Sequence, residues 1–445
     1  MSNNSTTGPT VTAERHGDTS PPIMKKVAFA SFVGTAIEYY DFFIYGTAAA
    51  LVFPTVFFPE MTPALAATAS FATFAVAFLS RPLGAAIFGH FGDRLGRKKT
   101  LVATLLIMGL STVAVGLLPG AATIGIAAPV ILMSLRLLQG VAVGGEWAGS
   151  ALLSAEYAPA NKRGLYGMFT QLGVGAGLVL TNAVFLVVNF TMGEKSEAFL
   201  SWGWRVPFLF SAVLVIIALY VRLSIDETPV FRAEKKKTGQ VKAPIAELFR
   251  HQSGKVVLAG GCILAAYIYS FMGGTFLLGY ASSSVHHPRT LILVGGILGG
   301  VALMAVTAVS AVLCDKYGRR RMMILGFSLA LPWSFIVIPL LDTGSPFLFF
   351  LGVMGTSAVM GIFYGPLASF IPEIFATRYR YTGASLAFHV SGIIGGAVPP
   401  LIIGSLLTSY GSWAVGIMMA LLVLLSLLST LALPETRDAA LDEVH

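Results

Sequence analysis

Residues 89–99 read GHFGDRLGRKK, and residues 313–321 read LCDKYGRRR. Each stretch follows a long apolar segment, and each places an aspartate three positions before a glycine that precedes basic residues. The two aspartates lie 222 positions apart, and so do the two glycines. A repeat at this distance in a chain of 445 residues indicates two similar halves in parallel order.

Two further repeats support this division. Glu156 and Arg163 lie 217 positions before Glu373 and Arg380. The halves also end alike, because residues 226–229 read DETP and residues 434–437 read PETR.

The composition places both halves in a membrane. Hydrophobic residues make up 56% of the chain and charged residues only 11%, with a mean hydropathy of +0.79. A bilayer core takes about 20 apolar residues per helix. The sequence therefore predicts an all-α integral membrane protein with twelve transmembrane helices in two six-helix bundles, at about 27–53, 65–90, 100–119, 125–151, 164–190, 203–224, 256–281, 290–314, 322–341, 346–371, 382–408 and 411–433.

The basic residues predict the orientation of these helices. Lys and Arg concentrate in the even-numbered loops, around residues 94–99, 162–163, 232–255, 316–321 and 378–380, whereas the odd-numbered loops hold only Lys195, Arg205 and Arg289. Cytoplasmic loops retain positive charge. Both termini are thus expected in the cytoplasm of a multi-pass cell-membrane protein. Topology accounts for the net charge of +8, and no nucleic-acid partner is implied.

The segments divide the chain into five parts. We predict a disordered cytoplasmic tail at 1–23, a first bundle at 24–225, a cytoplasmic central loop at 226–254, a second bundle at 255–433 and a cytoplasmic tail at 434–445. The first apolar segment is too long for a signal-peptide core and contains Glu38 and Asp41. Cys262 and Cys314 lack framework spacing, so neither a disulfide scaffold nor a metal site is expected.

The basic stretch at 89–99 resembles the signature of the major facilitator superfamily, G-x-x-x-D-[RK]-x-G-R-[RK]-x. Six positions match it: Gly89, Asp93, Arg94, Gly96, Arg97 and Lys98. Three other segments resemble the metabolite:proton symporter family: GTAIEYYDFFIYG at 34–46, RPLG at 81–84 and RLLQGVAVGGE at 136–146. One departure is Ala311, where the second signature would prefer glycine. The resemblance covers residues 24–437 and implies an organic acid or a zwitterion as substrate.

Charges inside the predicted spans are candidates for function, because each costs several kcal/mol in hydrocarbon unless it is paired or faces water. Asp41 and Arg136 lie near mid-span at similar depth and could form a pair. A carboxylate that alternates between an arginine and a proton can couple proton and substrate movement. Such a pair can also be purely structural. Glu38, one turn from Asp41, either relays the proton or is solvated.

Other polar groups are weaker candidates. Arg81 either binds an anion or extends towards the interface, and Glu146 is either a gate or a loop anchor. His389 titrates near neutral pH, although a lone histidine is more often an interhelical packing residue. The proton-coupling candidates are Asp41, Glu38 and Arg136. The substrate-binding candidates are Arg136, Arg81, Tyr45, Gln139, Gln171, Tyr364 and His389.

Charges at the predicted cytoplasmic helix ends form a third group. They can join helices by ion pairs that hold the inner side closed and break when it opens, although positive charge accumulates there for topological reasons as well. The gating candidates are Gly89, Asp93, Arg94, Gly96, Arg97, Glu146, Glu156, Arg163, Glu227, Asp315, Gly318, Arg319, Glu373, Arg380 and Glu435.

Three classes of function remain open. Proton-coupled import of a small organic acid or related metabolite is favoured by Asp41, Arg136 and the resemblance. The alternative is a proton-coupled antiporter that exports a drug or metabolite. A membrane enzyme or channel is disfavoured, since the sequence has neither metal-ligand spacing nor a phosphate-binding loop. We therefore expect no enzyme activity and no cofactor. The expected partners are a carboxylate or zwitterionic substrate, protons and the lipid bilayer, with a monomer as the functional unit.

Overall fold

The computed structural model describes residues 21–95, 97–144, 162–193, 196–223, 244–376 and 380–437. Twelve helices, numbered here in chain order, occupy the predicted spans. They are α1 Pro21–Leu51, α2 Pro63–Leu95, α3 Arg97–Leu117, α4 Ala127–Val143, α5 Arg163–Met192, α6 Arg205–Leu223, α7 Pro244–Phe271, α8 Arg289–Tyr317, α9 Arg319–Asp342, α10 Pro346–Ile374, α11 Arg380–Ser391 and α12 Ser412–Ala432.

Short helical pieces extend or join these helices. The pieces Phe53–Phe57 and Ala121–Ile124 lie in loops, and a π-helical turn, Phe199–Gly203, precedes α6. A π-helical turn at Met272–Phe276 carries α7 on to a final segment, Leu277–Ser283. Another, at Gly392–Ala397, carries α11 on to Val398–Tyr410. Such turns commonly mark functional positions in helices.

Several boundaries differ from the predicted ones. The tail predicted at 1–23 lies outside the described residues except for 21–23, which begin α1. The chain is helical from Pro244, within the stretch predicted as central loop, and kinks at Gln252, whose φ of −134° and ψ of 25° are not helical. The predicted C-terminal tail is described as far as Arg437.

The repeated basic stretches are mostly helix rather than loop. In the first, α2 continues to Leu95 and α3 begins at Arg97. In the second, α8 ends at Tyr317 and α9 begins at Arg319. Gly318 alone makes that turn, with a φ of +105° that side-chain-bearing residues rarely adopt. The glycine of the motif thus permits a one-residue reversal between two helices.

Length and hydropathy agree with membrane crossing for most of these helices. Nine candidate spans occur in the described ranges, together with two shorter apolar helices, Val102–Leu117 and Ala127–Val143. Helix α1 is not among them, and it carries both Glu38 and Asp41 in its middle. Large apolar side chains such as Leu110, Ile216 and Leu421 are more than half exposed, which suits a lipid environment.

Helix packing brings the two halves of the chain together along three seams. Helix α5 packs along α8 and also contacts α10, while α2 packs on the second part of α11 and its π-helical turn. Helix α1 packs on the π-helical turn Met272–Phe276 and on the segment Leu277–Ser283. Within the first half α1 lies on α5, α2 on α4, and α3 on α6; within the second half α8 lies on α10, and α9 on α10 and α12.

Helices α2 and α4 approach closely at glycines. A Cβ atom added to Gly84 would lie 1.9 Å from the backbone oxygen of Val141, whereas one added to Gly34 in α1 would meet nothing within 4 Å. We expect Gly84→Ala to lower the free energy of unfolding by about 1–3 kcal/mol through overpacking. Gly34→Ala is its matched control and should raise that free energy by up to about 1 kcal/mol. Thermal unfolding in detergent checks this, and equal melting temperatures for the two variants would contradict it.

Candidate functional site

A cavity lies between α1, α2, α3 and α4. All the described residues that line it come from these four helices in the first half of the chain. They are Glu38, Tyr39, Asp41, Phe42, Ala77, Arg81, Met108, Arg136, Gln139, Gly140 and Val143. The structure thus brings together five of the predicted proton-coupling and substrate-binding residues: Glu38, Asp41, Arg81, Arg136 and Gln139.

Asp41 is held by hydroxyl groups from two other helices. Its side chain is buried, and Ser211 of α6 donates a hydrogen bond of 2.6 Å to Oδ1. Thr112 of α3 donates one of 3.0 Å to Oδ2. Hydrogen bonds to an ionised carboxylate are stronger than those between neutral groups. Both bonds therefore help the site to hold Asp41 as an anion.

Arg136 enters the cavity from α4 and is buried as well. Its Nη1 donates to Oε1 of Gln139, one turn along the helix, at 2.9 Å. The guanidinium lies over the ring of Tyr45, 4.1 Å from the ring centroid. The buried Nε and Nη2 atoms have no hydrogen-bond partner among the described residues. Since a buried donor without an acceptor is costly, Arg136 is prepared to receive an acceptor from the cavity.

A chain of hydrogen bonds links Arg136 to Asp41. Gln139 accepts from Arg136 and donates through Nε2 to Oγ1 of Thr112 at 2.9 Å. Thr112 in turn donates to Asp41. The sequence predicted a pair between Asp41 and Arg136, and the polar contacts that connect them run through Gln139 and Thr112. We call this chain of hydrogen bonds the relay, and such a network can couple the charge states of its two ends.

The hydroxyl of Thr112 is expected to matter for the proton-coupled import that the sequence predicts. Thr112→Val keeps the shape but leaves Asp41 Oδ2 and Gln139 Nε2 without this partner, and a hydrogen bond to a charged group contributes about 1.5–3 kcal/mol. We expect proton-driven uptake into proteoliposomes to fall about tenfold or more. Thr112→Ser restores the hydroxyl and should recover most of the rate. Wild-type uptake by the valine variant would contradict this relay.

Arg81 and Glu38 occupy another part of the cavity wall, next to the second half of the chain. The guanidinium of Arg81 lies 4.3 Å from the centroid of Phe78. It also interacts with Tyr267 of α7 and with His389 of α11. His389 is buried. Arg81 thus lies where the two halves meet.

The remaining predicted substrate residues lie behind or beside the cavity. The ring of Tyr45 packs against the guanidinium of Arg136, and its hydroxyl donates to Thr73 at 2.8 Å. Gln171 of α5 donates to the backbone oxygen of Tyr364 in α10 at 3.0 Å. Gln171, Tyr364 and His389 are all buried, and none is among the residues that line the cavity. They belong to the contact between the halves.

The charges predicted to form a gate gather at the end of the molecule that carries the repeated basic stretches, which we call the basic end. Asp315 of α8 accepts the backbone N–H groups of Gly164 and Leu165 at 2.9 and 3.0 Å. Arg163 lies 3.7 Å from Glu373 of α10. Both contacts join α5 of the first half to helices of the second half, so they hold the basic end closed.

A second layer of contacts supports this closure from within the last six helices. Arg319 pairs with Asp315 at 3.2 Å and with Glu373 at 3.4 Å, and all but Asp315 are almost fully buried. Glu435 accepts the backbone N–H groups of Arg319 and Arg320 at the start of α9, where an acid is favoured by the helix dipole. Arg380 donates to the backbone oxygen of Pro372 at 3.1 Å.

Other predicted gating residues are described only in part. Gly96, Glu146, Glu156 and Glu227 lie outside the described residues. For the motif residues Gly89, Asp93, Arg94 and Arg97 the structure describes only the helices that contain them.

The opposite end of the seam between α5 and α8 is also closed. Arg289 at the start of α8 donates to Oδ1 of Asn189 at 3.1 Å, and Asn189 donates to Thr290 at 3.0 Å. The guanidinium of Arg289 lies 3.9 Å from the centroid of Phe199. Hydrogen bonds therefore join the halves at both ends of this seam.

Sequence reasoning missed three residues that shape the site. Thr112 and Ser211 hold Asp41, and the ring centroid of Phe42 lies 5.8 Å from the guanidinium carbon of Arg81 and 5.7 Å from that of Arg136. The hydroxyl residues carry a weak signal, because a polar side chain in an apolar span needs a partner. Phe42 carries none, since one phenylalanine among 31 is not distinguished by its type.

Comparisons with known proteins also indicate a transporter. The chain matches the family model of the sugar (and other) transporter over residues 26–259 and 243–445. It is 45% identical over 439 residues to the inner membrane metabolite transport protein YhjE of Escherichia coli (strain K12), with 97% of this chain and 99% of that protein covered. It is 39% identical to the shikimate transporter of the same organism, with coverage of 93% and 95%. It is 36% identical to the proline/betaine transporter of Salmonella typhimurium, with coverage of 85% and 77%.

Among solved structures, the chain is similar to the proton:xylose symporter XylE bound to 6-bromo-6-deoxy-D-glucose. The TM-score is 0.72 at 20% sequence identity, and 95% of this chain and 98% of that chain are covered. This likeness concerns the fold alone. It confirms the predicted all-α fold of twelve helices in two six-helix bundles.

Proposed function

Because the chain belongs to the sugar (and other) transporter family of the major facilitator superfamily, we propose that it imports a small organic acid together with protons. It is a metabolite transporter of this superfamily, and its relatives are transporters rather than enzymes. We further propose that it works as a monomer in the inner membrane, with the basic end and both termini in the cytoplasm. Positive charge at that end supports this orientation.

One observation carries the substrate proposal. Arg136 presents two buried donors without partners, and the cavity that it lines also contains Asp41. An arginine in this state is matched by a carboxylate, which accepts in a forked geometry. A buried arginine at membrane depth is seldom retained without function. These facts support an organic acid bound at Arg136.

The relay suggests how proton and substrate movement are coupled. With the cavity empty, Asp41 is an anion held by Ser211 and Thr112 and balances the charge of Arg136 through Gln139. When the carboxylate of the substrate binds Arg136, a proton on Asp41 removes the excess negative charge. Proton and acid therefore favour one another, and the loaded site can cross between the two open states.

Alternating access also requires contacts that close one end and can break, and the basic end has such contacts. Asp315, Arg163 and Glu373 join α5 to α8 and α10 while this end is closed. We propose that these contacts break when the site opens to the cytoplasm. In this proposal the two bodies that move against each other are the predicted bundles, residues 24–225 and 255–433.

Uptake into proteoliposomes tests the proposed function. The full-length protein is reconstituted, and labelled mono- and dicarboxylates, hydroxylated carboxylates, betaine and proline are offered with and without an inward proton gradient. Accumulation of an acid only under the gradient is the expected result. Efflux against an opposed proton gradient, with no driven uptake, would instead establish the antiporter alternative.

A further inference from the structure

Helix α7 contains two consecutive glycines, Gly260 and Gly261, near the middle of the apolar span Arg250–Ser283. A Cβ atom added to Gly261 would lie 2.0 Å from Oγ of Ser429 in α12. One added to Gly260 would lie 3.1 Å from Oγ of Ser391 in α11. Because glycine has no side chain, hydroxyl-bearing residues of α11 and α12 can approach the backbone of α7 closely at this turn.

Ser426 of α12 binds both members of one backbone pair in α7. Its Oγ accepts the N–H of Ala265 at 2.9 Å and donates to the backbone oxygen of Gly261 at 2.8 Å. In an uninterrupted α-helix these two groups, four residues apart, bond to each other. The hydroxyl of Ser426 therefore offers each of them another partner.

The neighbouring carbonyl of α7 has a donor from another helix as well. Ser391 is the last residue of α11, and its Oγ lies 2.6 Å from the backbone oxygen of Gly260 and 2.6 Å from that of Ala387 in its own helix. Its single hydroxyl proton can serve either oxygen. Two successive carbonyls of α7 can thus give up their helical bonds and still be hydrogen bonded. We call residues 260–265 the bridged turn.

The bridged turn lowers the cost of opening α7 inside the membrane. Hydrocarbon supplies no water, so a backbone group that loses its helical partner stays unsatisfied unless a side chain replaces that partner. Helices bend where a side chain enters their ladder of backbone bonds, and glycine restricts the backbone least. Both conditions are met at the bridged turn.

The parts of α7 on either side of the bridged turn have different neighbours. The turn itself is bonded to α11 and α12, which belong to the second half. Beyond it, Tyr267 interacts with Arg81 of α2, and the π-helical turn Met272–Phe276 packs on α1. A movement of the first half against the second therefore acts on α7 beyond the bridged turn.

We propose that Ser426 makes the bridged turn a hinge of the transport cycle. When α7 opens there, the hydroxyl of Ser426 takes over the N–H of Ala265 and the oxygen of Gly261. The part of α7 that carries Tyr267 then turns relative to the part before residue 260 and follows Arg81. Ser426 is a positioning residue in this hinge and touches no substrate. The hinge goes beyond the proposed function and does not depend on the cargo, so its test needs no ligand.

Hydrogen–deuterium exchange of the full-length protein in lipid nanodiscs tests the hinge, because amide exchange in a helix reports local opening. It is read by mass spectrometry of the peptides that cover residues 262–268, and thermal unfolding is measured alongside. Ser426→Ala removes the hydroxyl and Ser426→Thr keeps it. Thr430→Val is the matched control, since Thr430 lies one turn along α12 and its hydroxyl meets Sγ of Cys262 at 3.2 Å rather than the backbone of α7.

In Ser426→Ala, the N–H of Ala265 and the oxygen of Gly261 have only each other, so the turn should open less often. We expect these amides to exchange about tenfold more slowly than in the wild type, because the open turn loses two hydrogen bonds. The melting temperature should stay equal or rise, since the direct helical bond replaces the bridge. Ser426→Thr and Thr430→Val should exchange at the wild-type rate.

The opposite sign overturns the proposal. If Ser426 merely held α7 and α12 together, Ser426→Ala would exchange faster and melt at a lower temperature. Unchanged exchange in Ser426→Ala, or equal slowing in Ser426→Thr or Thr430→Val, overturns the hinge too.

A second variant decides the matter if Ser426→Ala does not fold. Ser391→Ala removes the α11 hydroxyl beside the oxygen of Gly260, the helical partner of the N–H of Leu264. Exchange at Leu264 should then slow, and faster or unchanged exchange there overturns the hinge. Because no substrate enters these measurements, failure of the hinge would leave the proposed import of an organic acid standing, and the uptake assay tests that import separately.

Discussion

Asp41→Asn is expected to abolish proton-driven accumulation in proteoliposomes while leaving substrate exchange intact. An inward gradient of about one pH unit supports roughly tenfold accumulation when one proton accompanies each substrate, because one pH unit corresponds to about 1.4 kcal/mol. The asparagine has the same shape and still accepts from Ser211 or Thr112, but it cannot take up a proton. Accumulation should thus fall to the level of equilibration.

The comparison of two assays makes this result specific. Exchange of labelled for unlabelled substrate, without a gradient, requires binding and the conformational change but no net proton movement. A variant that has merely lost its structure fails in both assays. Gradient-driven accumulation that persists in Asp41→Asn would exclude Asp41 as the proton site. Glu38, the neighbouring carboxylate in the cavity, would then be the next residue to test.

Glu373→Gln is expected to open the basic end of the resting protein. Glu373 is buried, pairs with Arg163 and Arg319, and accepts a hydrogen bond from Thr436 at 2.5 Å. Removing one partner of a buried ion pair costs about 3–5 kcal/mol. The closed state bears the part of this cost that comes from Arg163, because Arg163 belongs to the first half and reaches water once the end is open. A shift of about 3 kcal/mol changes the ratio of open to closed molecules more than a hundredfold.

The chain contains its own reporter for this opening. Cys314 of α8 is fully buried, and a Cβ atom added to Gly164 of α5 would lie 2.6 Å from its sulfur. The thiol is therefore covered by the first half while the basic end is closed. A maleimide should label Cys314 much faster in Glu373→Gln than in the wild type.

Two variants control the labelling experiment. Cys314→Ser identifies the labelled thiol, because Cys262 is the only other cysteine. Glu60→Gln removes an exposed acid near the opposite end and should leave the rate unchanged. Equal labelling of the wild type and Glu373→Gln would show that Glu373 does not hold the basic end closed.

Most of the fold was predictable because each helix and each repeat can be recognised from its own stretch of sequence. Twelve apolar spans, two repeated basic stretches and two further repeats each report on local sequence, and the predicted helices agree with the observed ones to within a few residues at many ends. The basic stretches were misjudged as loops. Their polar composition is typical of loops, whereas α2 simply extends beyond its apolar part to Leu95.

The candidate site was predictable only in its charges. Asp41, Arg81 and Arg136 stand out because ionisable residues are rare in apolar spans. Their connection is not encoded in spacing, since it depends on how α3 and α6 are rotated to place Thr112 and Ser211 against Asp41. The sequence likewise gave no means to separate Gln139, which lines the cavity, from Gln171, which bonds across the seam to Tyr364.

The cavity wall has a consequence for how such a protein can evolve. Its described residues all come from α1 to α4, whereas the glycine-containing π-helical turns that meet this half, Met272–Phe276 and Gly392–Ala397, belong to the duplicate. Under the proposed function, we expect substitutions in the first half to change substrate preference and substitutions at these turns of the second half to change the transport rate. Substrate preference and transport rate can therefore change through substitutions in different halves of the chain.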